Sequence, residues 1–305
     1  MSRIRLLGLL VIIGTLLAPA APAAQGDGRS PAPDAEAVLL LDADGRTLFA
    51  KNAETEHAPA SLVKLMTLYL AFEDIEAGRA ALEESVVVSR ASITTPRYRM
   101  GLRAGQEVPL RVLLEGVAIA SANDAAAAVA EHLGGDEATF VARMNAKARE
   151  LGMVGTRYAN PHGLPDPLQR SNARDLALLM TRLLQDHSGA RTMLGGQTFV
   201  YRGRVYARHI PLFSDPGGVQ ALKTGFTNEA GYNLAVSAWR NGQQFLMIIL
   251  GARTRQASFL DAKKLLLHGF VEMGLEAPAA EPTGTAPTKS KPAKLRPRRA
   301  TALAR

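Results

Sequence analysis

Lys64 is the only charged residue between Ala58 and Phe72, inside Ser61-Leu62-Val63-Lys64-Leu65-Met66-Thr67-Leu68-Tyr69-Leu70. An ammonium in a stretch that is apolar nearly all round is expensive to bury. Either its stem carries the charge out to water, or the amine is kept in a cleft for its chemistry. Ser61 lies three residues earlier, so both side chains share one helix face. It also stands near the helix N-terminus, where free N–H groups and the dipole favour a developing anion. A serine nucleophile needs a base, and a desolvated neutral lysine is one. Of all the serines in the chain, only Ser61 has lysine at the fourth position.

Two further groups stand out. Ser121-Ala122-Asn123 separates two Ala-rich helical stretches. Its plain reading is a helix cap, Ser121 with Asp124 resembling a capping box. Lys223-Thr224-Gly225 ends the strand Val219-Gln220-Ala221-Leu222. Its plain reading is an edge strand blunted by Lys and Gly. Its functional reading uses the same edge: Gly admits a peptide close to the backbone, strand pairing aligns it, and Lys223 and Thr224 hold a carboxylate. Other constellations fail. There is no Gly-x-Ser-x-Gly elbow and no His-Glu-x-x-His, and the six histidines are scattered. His162, in Asn160-Pro161-His162-Gly163, reads as a loop residue, with contact to substrate as the alternative, and Met144 and Met153 as core or loop packing. No metal or cofactor is expected.

The elements that must position these groups run strands, helices, strands. Ala37 to Leu41, an Asp44-Gly45 turn and Arg46 to Lys51 read as a hairpin. Ser61 to Phe72 reads as a buried helix. Leu110 to Ala120, Asp124 to Leu133 and Glu137 to Leu151 read as further helices, and Ser171 as the cap of another through Leu184. Thr198 to Ala207, Val219 to Phe226 and Tyr232 to Trp239 carry β signals. Asn241-Gly242 is a hairpin turn into Gln244 to Leu250. Ala257 to Met273 closes as an amphipathic helix. Strands from both ends with helices between predict an α+β fold: one antiparallel sheet packed against helices.

The composition bounds the rest. With 305 residues, 47% hydrophobic and 21% charged, the chain can build a sizeable core. It has no cysteine, which excludes disulfides, thiolate metal sites and a Cys nucleophile. The net charge is +8, but Arg3 and Arg5 and seven cations between Thr283 and Arg305 leave residues 6–282 at −1. That balance does not support a folded nucleic-acid-binding face. Residues 1–24 read as a secretory signal: two arginines, an apolar run from Leu6 to Leu17, then Pro19, Pro22 and the small-residue site Ala21-Pro22-Ala23. A membrane span needs ~20 apolar residues, so an anchor is the weaker reading. Residues 25–34 read as a linker, 35–276 as the folded domain, and 277–305 as a basic, Pro-rich disordered tail. The expected place is outside the inner membrane, soluble after signal cleavage.

Ser-x-x-Lys, then Ser-x-Asn, then Lys-Thr-Gly, in that order, is the motif set of penicillin-binding proteins and serine β-lactamases. Ser121 lies 60 residues after Ser61, and Lys223 lies 102 after Ser121. The chain resembles the low-molecular-mass penicillin-binding proteins, the serine D-Ala-D-Ala carboxypeptidases and endopeptidases. The resemblance spans about residues 35–275 and includes Ala60 to Thr67, Ala120 to Ala126, Met144 to Ala148, Ser171 to Leu176 and Leu222 to Thr227. It implies a β-lactamase/DD-peptidase-like fold. It implies that peptidoglycan stem peptides are the substrates and β-lactams covalent inhibitors. Ser61 would be the acylated nucleophile and Lys64 its base. Ser121 would relay a proton to the leaving amine, with Lys223 keeping the site positive. Asn123 would hold the substrate amide, Thr224 and Gly225 would belong to the substrate edge, and the N–H groups of Ser61 and Phe226 would form the oxyanion hole. Lys64 must be depressed for this, because at ~10.4 a lysine is neutral only roughly once in 2,500 at pH 7.

Two departures from the family pattern are visible. The arginine that usually grips a terminal carboxylate is replaced, in an ungapped match, by Ser258, with Arg253 and Arg255 nearby. The usual second β domain and amphipathic anchor are replaced by the basic tail, for which anionic wall polymers are the expected counterpart. Both points, with Ala257 to Ala262, look more like the endopeptidase branch. A β-lactamase would need a deacylating group, often a Glu after Ser-x-Asn. Between Leu151 and Arg170 there is only Asp166. A non-enzymatic wall-binding protein is the third reading.

Overall fold

The computed structural model describes residues 30–215 and 217–276. The expected signal segment, the first half of the expected linker and the tail 277–305 lie outside the described residues. A five-stranded antiparallel sheet is ordered β2-β1-β9-β8-β7. It joins the amino-terminal hairpin β1 (Ala37–Leu41) and β2 (Thr47–Lys51) to three late strands. Before these come two short ribbons, β3 (Ser85–Val87) with β4 (Glu107–Pro109) and β5 (Thr198–Tyr201) with β6 (Arg204–Ala207). The late strands are β7 (Val219–Thr227), β8 (Gly231–Arg240) and β9 (Gln243–Ala252). The expected α+β architecture is what forms. It places β7, which carries Lys-Thr-Gly, at an edge of the sheet.

Both faces of this sheet are covered, and β1 shows why its sequence has no polar alternation. Ala37, Leu39 and Leu41 point into one core, Val38 and Leu40 into the other. Successive residues of a strand face opposite sides, so a strand covered twice must be apolar throughout. The first core packs the sheet against helices α1 (Lys64–Glu76), α2 (Leu110–Ala118), α3 (Asn123–Gly134), α4 (Glu137–Leu151), α5 (Ala173–Asp186) and α6 (Ser188–Gly195). The second packs it against α7 (Arg255–Glu272), with Phe245 and Phe270 in edge-to-face contact at 5.1 Å. Met144 and Met153 are core residues, as expected.

Three local expectations change. Thr198 to Ala207 is not one strand but a hairpin turning at Arg202 and Gly203, both with positive φ (49° and 74°). Helix α5 is capped by Asn172, whose side chain accepts from the Asp175 N–H at 2.8 Å. Ser171, the expected cap, instead bonds the Thr156 hydroxyl at 2.8 Å. Residues Ser188–Gly195 form a helix that the sequence reading left unassigned. Replacing Asn172 by Ala removes a side-chain cap, and we expect a loss of about 1 kcal/mol of stability in urea unfolding; an unchanged midpoint would show that the cap contributes nothing.

Candidate active site

Ser61 does not lie on α1 itself but in a tight 3₁₀ turn, Ala60–Val63, that leads into it. In such a turn side chains three apart eclipse one another. This brings Lys64 Nζ to 3.1 Å from Ser61 Oγ. The amine is fully buried and has no carboxylate partner among the described residues. Its other contacts are acceptors: Asn123 Oδ1 at 2.7 Å and the backbone carbonyl of His162. The sequence alternative of a snorkelling stem is excluded. Desolvation pulls Lys64 down from 10.5 to about 7, against the opposing pull of the Asp124 carboxylate.

The second pair comes from the other two motifs. Lys223 Nζ lies 2.8 Å from Ser121 Oγ and 2.9 Å from the Thr224 carbonyl. Burial first, then the charges of Lys64 and Arg208, hold Lys223 well below the usual lysine range. Burial thus works against the positive charge that the resemblance assigns to Lys223. Arg208 reinforces this from behind, its guanidinium donating to the carbonyls of Gly196, Leu222, Ala118 and Leu194. Its burial lowers even this guanidinium to about 10.

The capping-box reading of Ser121 and Asp124 fails. The cap position of α3 is Ala122, with no side-chain cap bond, and Ser121 sits at φ 54°. That left-handed backbone costs a non-glycine residue of order 1 kcal/mol. It accompanies a hydroxyl bonded to Lys223 rather than to its own helix. Asp124 turns the other way and accepts from the N–H groups of Met100, Gly101 and Leu102 at 2.9–3.2 Å. This tethers the loop whose Pro96 and Arg97 carbonyls each accept from Asn123 Nδ2 at 3.0 Å. Asn123 therefore has both ends of its amide engaged, and its visible task is to hold Lys64. The resemblance assigned it to the substrate amide, which requires an exchange of these bonds.

Two glycines allow the parts to meet. A methyl on Gly225 would lie 3.1 Å from the Ser61 nitrogen and 3.2 Å from the Pro59 oxygen. So Gly225 admits the nucleophile's own turn to β7, where the sequence reading had a substrate backbone. Gly163 has φ +85°, and a methyl there would lie 2.0 Å from the Ala60 oxygen. The loop bearing His162 and Gly163 is further tied by Thr67 Oγ1 donating to the Pro161 carbonyl at 2.7 Å. Asn233, at an irregularity in β8, donates to the Ala58 carbonyl at 2.9 Å and locks the sheet to the same turn.

Ser61, Ser121, Thr224, Gly225 and Phe226 line one cleft of about 670 Å³. Its walls also hold Tyr98, Arg204, Arg208, Arg255 and Tyr232 and, among the described residues, no carboxylate. Arg255 is one of the two arginines noted beside the family's carboxylate-gripping position, whereas Arg204 and Arg208, in and just after the β5–β6 hairpin, carry no motif. Ser258 is buried, its hydroxyl donating to the Arg255 carbonyl at 2.8 Å, so the cation on that wall is Arg255. Asp166 caps its own turn by accepting from the Leu168 N–H at 2.8 Å. No metal-binding group of His, Asp and Glu occurs among the described residues.

The buried amine has a measurable consequence. Below about 7 the folded protein carries the Lys64 ammonium at full desolvation cost. Between about 7 and 10.5 the unfolded chain binds a proton that the folded one does not, so stability rises with pH across that window. We expect the wild-type slope to exceed that of Lys64→Met by up to ~1.4 kcal/mol per pH unit. Urea unfolding at several pH values checks this, and equal slopes would show that the amine is not depressed.

Comparison with known proteins gives the same assignment. The family model for D-alanyl-D-alanine carboxypeptidase, peptidase family S11, matches residues 25–254. D-alanyl-D-alanine carboxypeptidase DacC of Escherichia coli is 36% identical over 263 residues, covering 84% of this chain and 66% of that protein. DacF of Bacillus subtilis is 32% identical over 278 residues, covering 87% of this chain and 71% of that one. This chain spans a smaller share, 61%, of Escherichia coli DacA. Penicillin binding protein 5 from Haemophilus influenzae superimposes with a TM-score of 0.77 at 30% identity, over 79% of this chain and 72% of that one. With the two serine–lysine pairs in one cleft, the fold and these likenesses place the chain in the D-alanyl-D-alanine carboxypeptidase family of penicillin-binding serine peptidases.

Proposed function

We propose that this protein is a serine DD-peptidase that cleaves peptidoglycan stem peptides through an acyl-enzyme on Ser61. The observation that carries it is the 3.1 Å contact between Ser61 Oγ and a lysine depressed to about 7, facing the Ser121–Lys223 pair across one cleft. Neutral Lys64 takes the Ser61 proton as Oγ attacks the scissile carbonyl. The oxyanion is received by the N–H groups of Ser61 and Phe226, at the junction where Gly225 abuts the nucleophile's turn. Ser121 relays the proton taken up by Lys64 to the departing amine, which leaves Lys64 neutral again, while Lys223 holds the Ser121 hydroxyl in place. Water then adds to the ester and Lys64 takes its proton, which releases the acid and frees Ser61.

The acid-free, arginine-lined cleft suits a substrate that brings its own carboxylate. A carboxylate beside Thr224 would draw Lys223 back toward its charged form. Arg255 supplies the exposed cation on the leaving-group side, where the family pattern carries a different arginine. The β-lactamase alternative has no support here, since Asp166 is bound in its own turn. Incubation with purified muropeptides tests the reading. Loss of one D-Ala marks a carboxypeptidase, dimers split to monomers mark an endopeptidase, and unchanged muropeptides overturn the assignment. Fluorescent penicillin should label the protein, with a rate that climbs as pH rises through about 7 as Lys64 loses its proton. Ser61→Ala should abolish labelling with the fold intact; a variant that still labels would refute Ser61 as the nucleophile.

Export and wall association follow from sequence alone, from the amino-terminal signal pattern and the seven tail cations. No helix among the described residues is long and apolar enough to cross a membrane. Seven cations without an acid between Thr283 and Arg305 suit an anionic wall polymer, through contacts screened within ~8 Å at physiological salt. Truncation after Ala280 should leave turnover of a small peptide unchanged and weaken co-sedimentation with sacculi at low salt. Unaltered sedimentation would dismiss the tether.

A further inference from the structure

Three arginines gather in a recess of about 520 Å³ that shares no lining residue with the cleft. Arg149 comes from the last turn of α4, and Arg157 and Arg170 from the segment between α4 and α5. No carboxylate lines the recess among the described residues. A cation in the last turn of a helix offsets the dipole, and that accounts for Arg149 on its own. It does not account for the other two. Arg157 and Arg170 face each other in an isolated antiparallel bridge, each N–H donating to the other's carbonyl, at 2.9 and 3.0 Å. Residues directly opposite in such a pair put their side chains on the same face, where like charges are destabilising.

These charges are poorly answered. Glu56 lies 3.1 Å from Arg170 Nε, in a pair whose side chains are 42% and 62% exposed. An ion pair so open to water is weak and easily exchanged. The guanidinium groups of Arg149 and Arg157 are exposed and make no ion pair or hydrogen bond among the described residues. The neutral polar side chains of the recess are spent internally, Asn145 on Val141 and Tyr158, and Thr156 on Ser171 and Asp175. What remains for a ligand is a set of guanidinium forks, which match phosphate oxygens.

Val154 lines the same recess and is 97% exposed, more than any other large apolar side chain among the described residues. Its turn is tied down on both sides. Gly152 closes α4 at φ 85°, and the Gly155 N–H donates to the buried Asp175 carboxylate at 2.9 Å. The chain thus holds an apolar side chain out in water beside three cations. A phosphate polymer would use the cations and gain nothing from the valine. A bilayer surface uses both, cations at the level of the headgroups and an apolar tip at the acyl boundary.

We propose that this face docks on a bilayer containing anionic phospholipid, with Arg149, Arg157 and Arg170 receiving headgroup phosphates and Val154 entering the interface. The contact is peripheral and adds no step to the chemistry in the cleft. It holds the folded domain itself at a membrane surface, independently of the basic tail.

The chain has no cysteine, so Val154→Cys gives the full chain a single attachment point for an environment-sensitive dye. Vesicles of phosphatidylglycerol and phosphatidylcholine in equal parts should shift its emission to the blue, and phosphatidylcholine alone should not. The same dye on Val87→Cys, at an exposed valine of β3, should report water throughout. Adding Arg149→Gln and Arg157→Gln to the Val154→Cys chain should raise the lipid needed for half the shift roughly thirtyfold, the effect of two arginines at an anionic surface. Both side chains are exposed, so the urea midpoint should not move. A dye at position 154 that stays in water on the anionic vesicles overturns the proposal without any arginine variant, even where the tail carries the protein to the lipid. Equal shifts at positions 154 and 87 overturn it as general adsorption. So does a shift that the double substitution leaves unaltered. Binding of soluble polyphosphate that the double substitution abolishes, with no shift on vesicles, would reassign the arginines to a phosphate polymer and end the docking idea.

Discussion

The site depends on an ammonium buried without a counter-ion. Lys64 is fully buried, and its partners are a hydroxyl, a side-chain amide and a backbone carbonyl. A carboxylate in contact would have stabilised the protonated form and removed the base. The nearest acid that acts on it, Asp124, turns its oxygens to three backbone N–H groups instead. The amine thus keeps its hydrogen bonds and loses most of its hold on the proton. The acceptors are fixed in turn: Ser61 by its 3₁₀ turn, Asn123 by the Pro96 and Arg97 carbonyls, and His162 by the loop that Thr67 ties at Pro161.

That rigidity is assembled from three parts of the chain that meet at the 3₁₀ turn carrying Ser61. The edge strand β7 approaches it at Gly225, the loop after α4 at Gly163, and β8 through Asn233. The two glycines leave space for neighbouring backbone, and at each of them a methyl would collide with the nucleophile's turn or crowd it. Non-glycine residues with positive φ, Ala60 and Ser121, flank the same junction. Backbone strain is tolerated where surrounding contacts over-determine the conformation, and here it turns two hydroxyls toward two amines.

Charge is distributed unevenly around this centre. Residues 6–282 sum to −1, yet the cleft is lined by three arginines and, among the described residues, no acid. Such a local field favours a ligand that carries negative charge.

Much of this was legible from residue types alone. A lone lysine in an apolar helix, a serine three before it, and the order of Ser-x-x-Lys, Ser-x-Asn and Lys-Thr-Gly identified the chemistry. These are constraints on residue type, which local sequence carries directly. The strands and the Asn241-Gly242 hairpin were legible for the same reason, since strand-forming composition and turn chemistry are local, whereas the covering of both sheet faces appears only on folding. What the tertiary structure alone decided were the partners. Asp124 has the sequence of a capping acid and becomes a loop tether. Asn123 reads as a substrate contact and holds the base. His162 reads as a loop residue or a substrate contact and presents its carbonyl to Lys64. Arg204 and Arg208 carry no motif at all. Hydrogen-bond partners and desolvation are set by segments roughly a hundred residues apart that the chain brings together only on folding, and no spacing along the sequence encodes which backbone carbonyl will face a given amine.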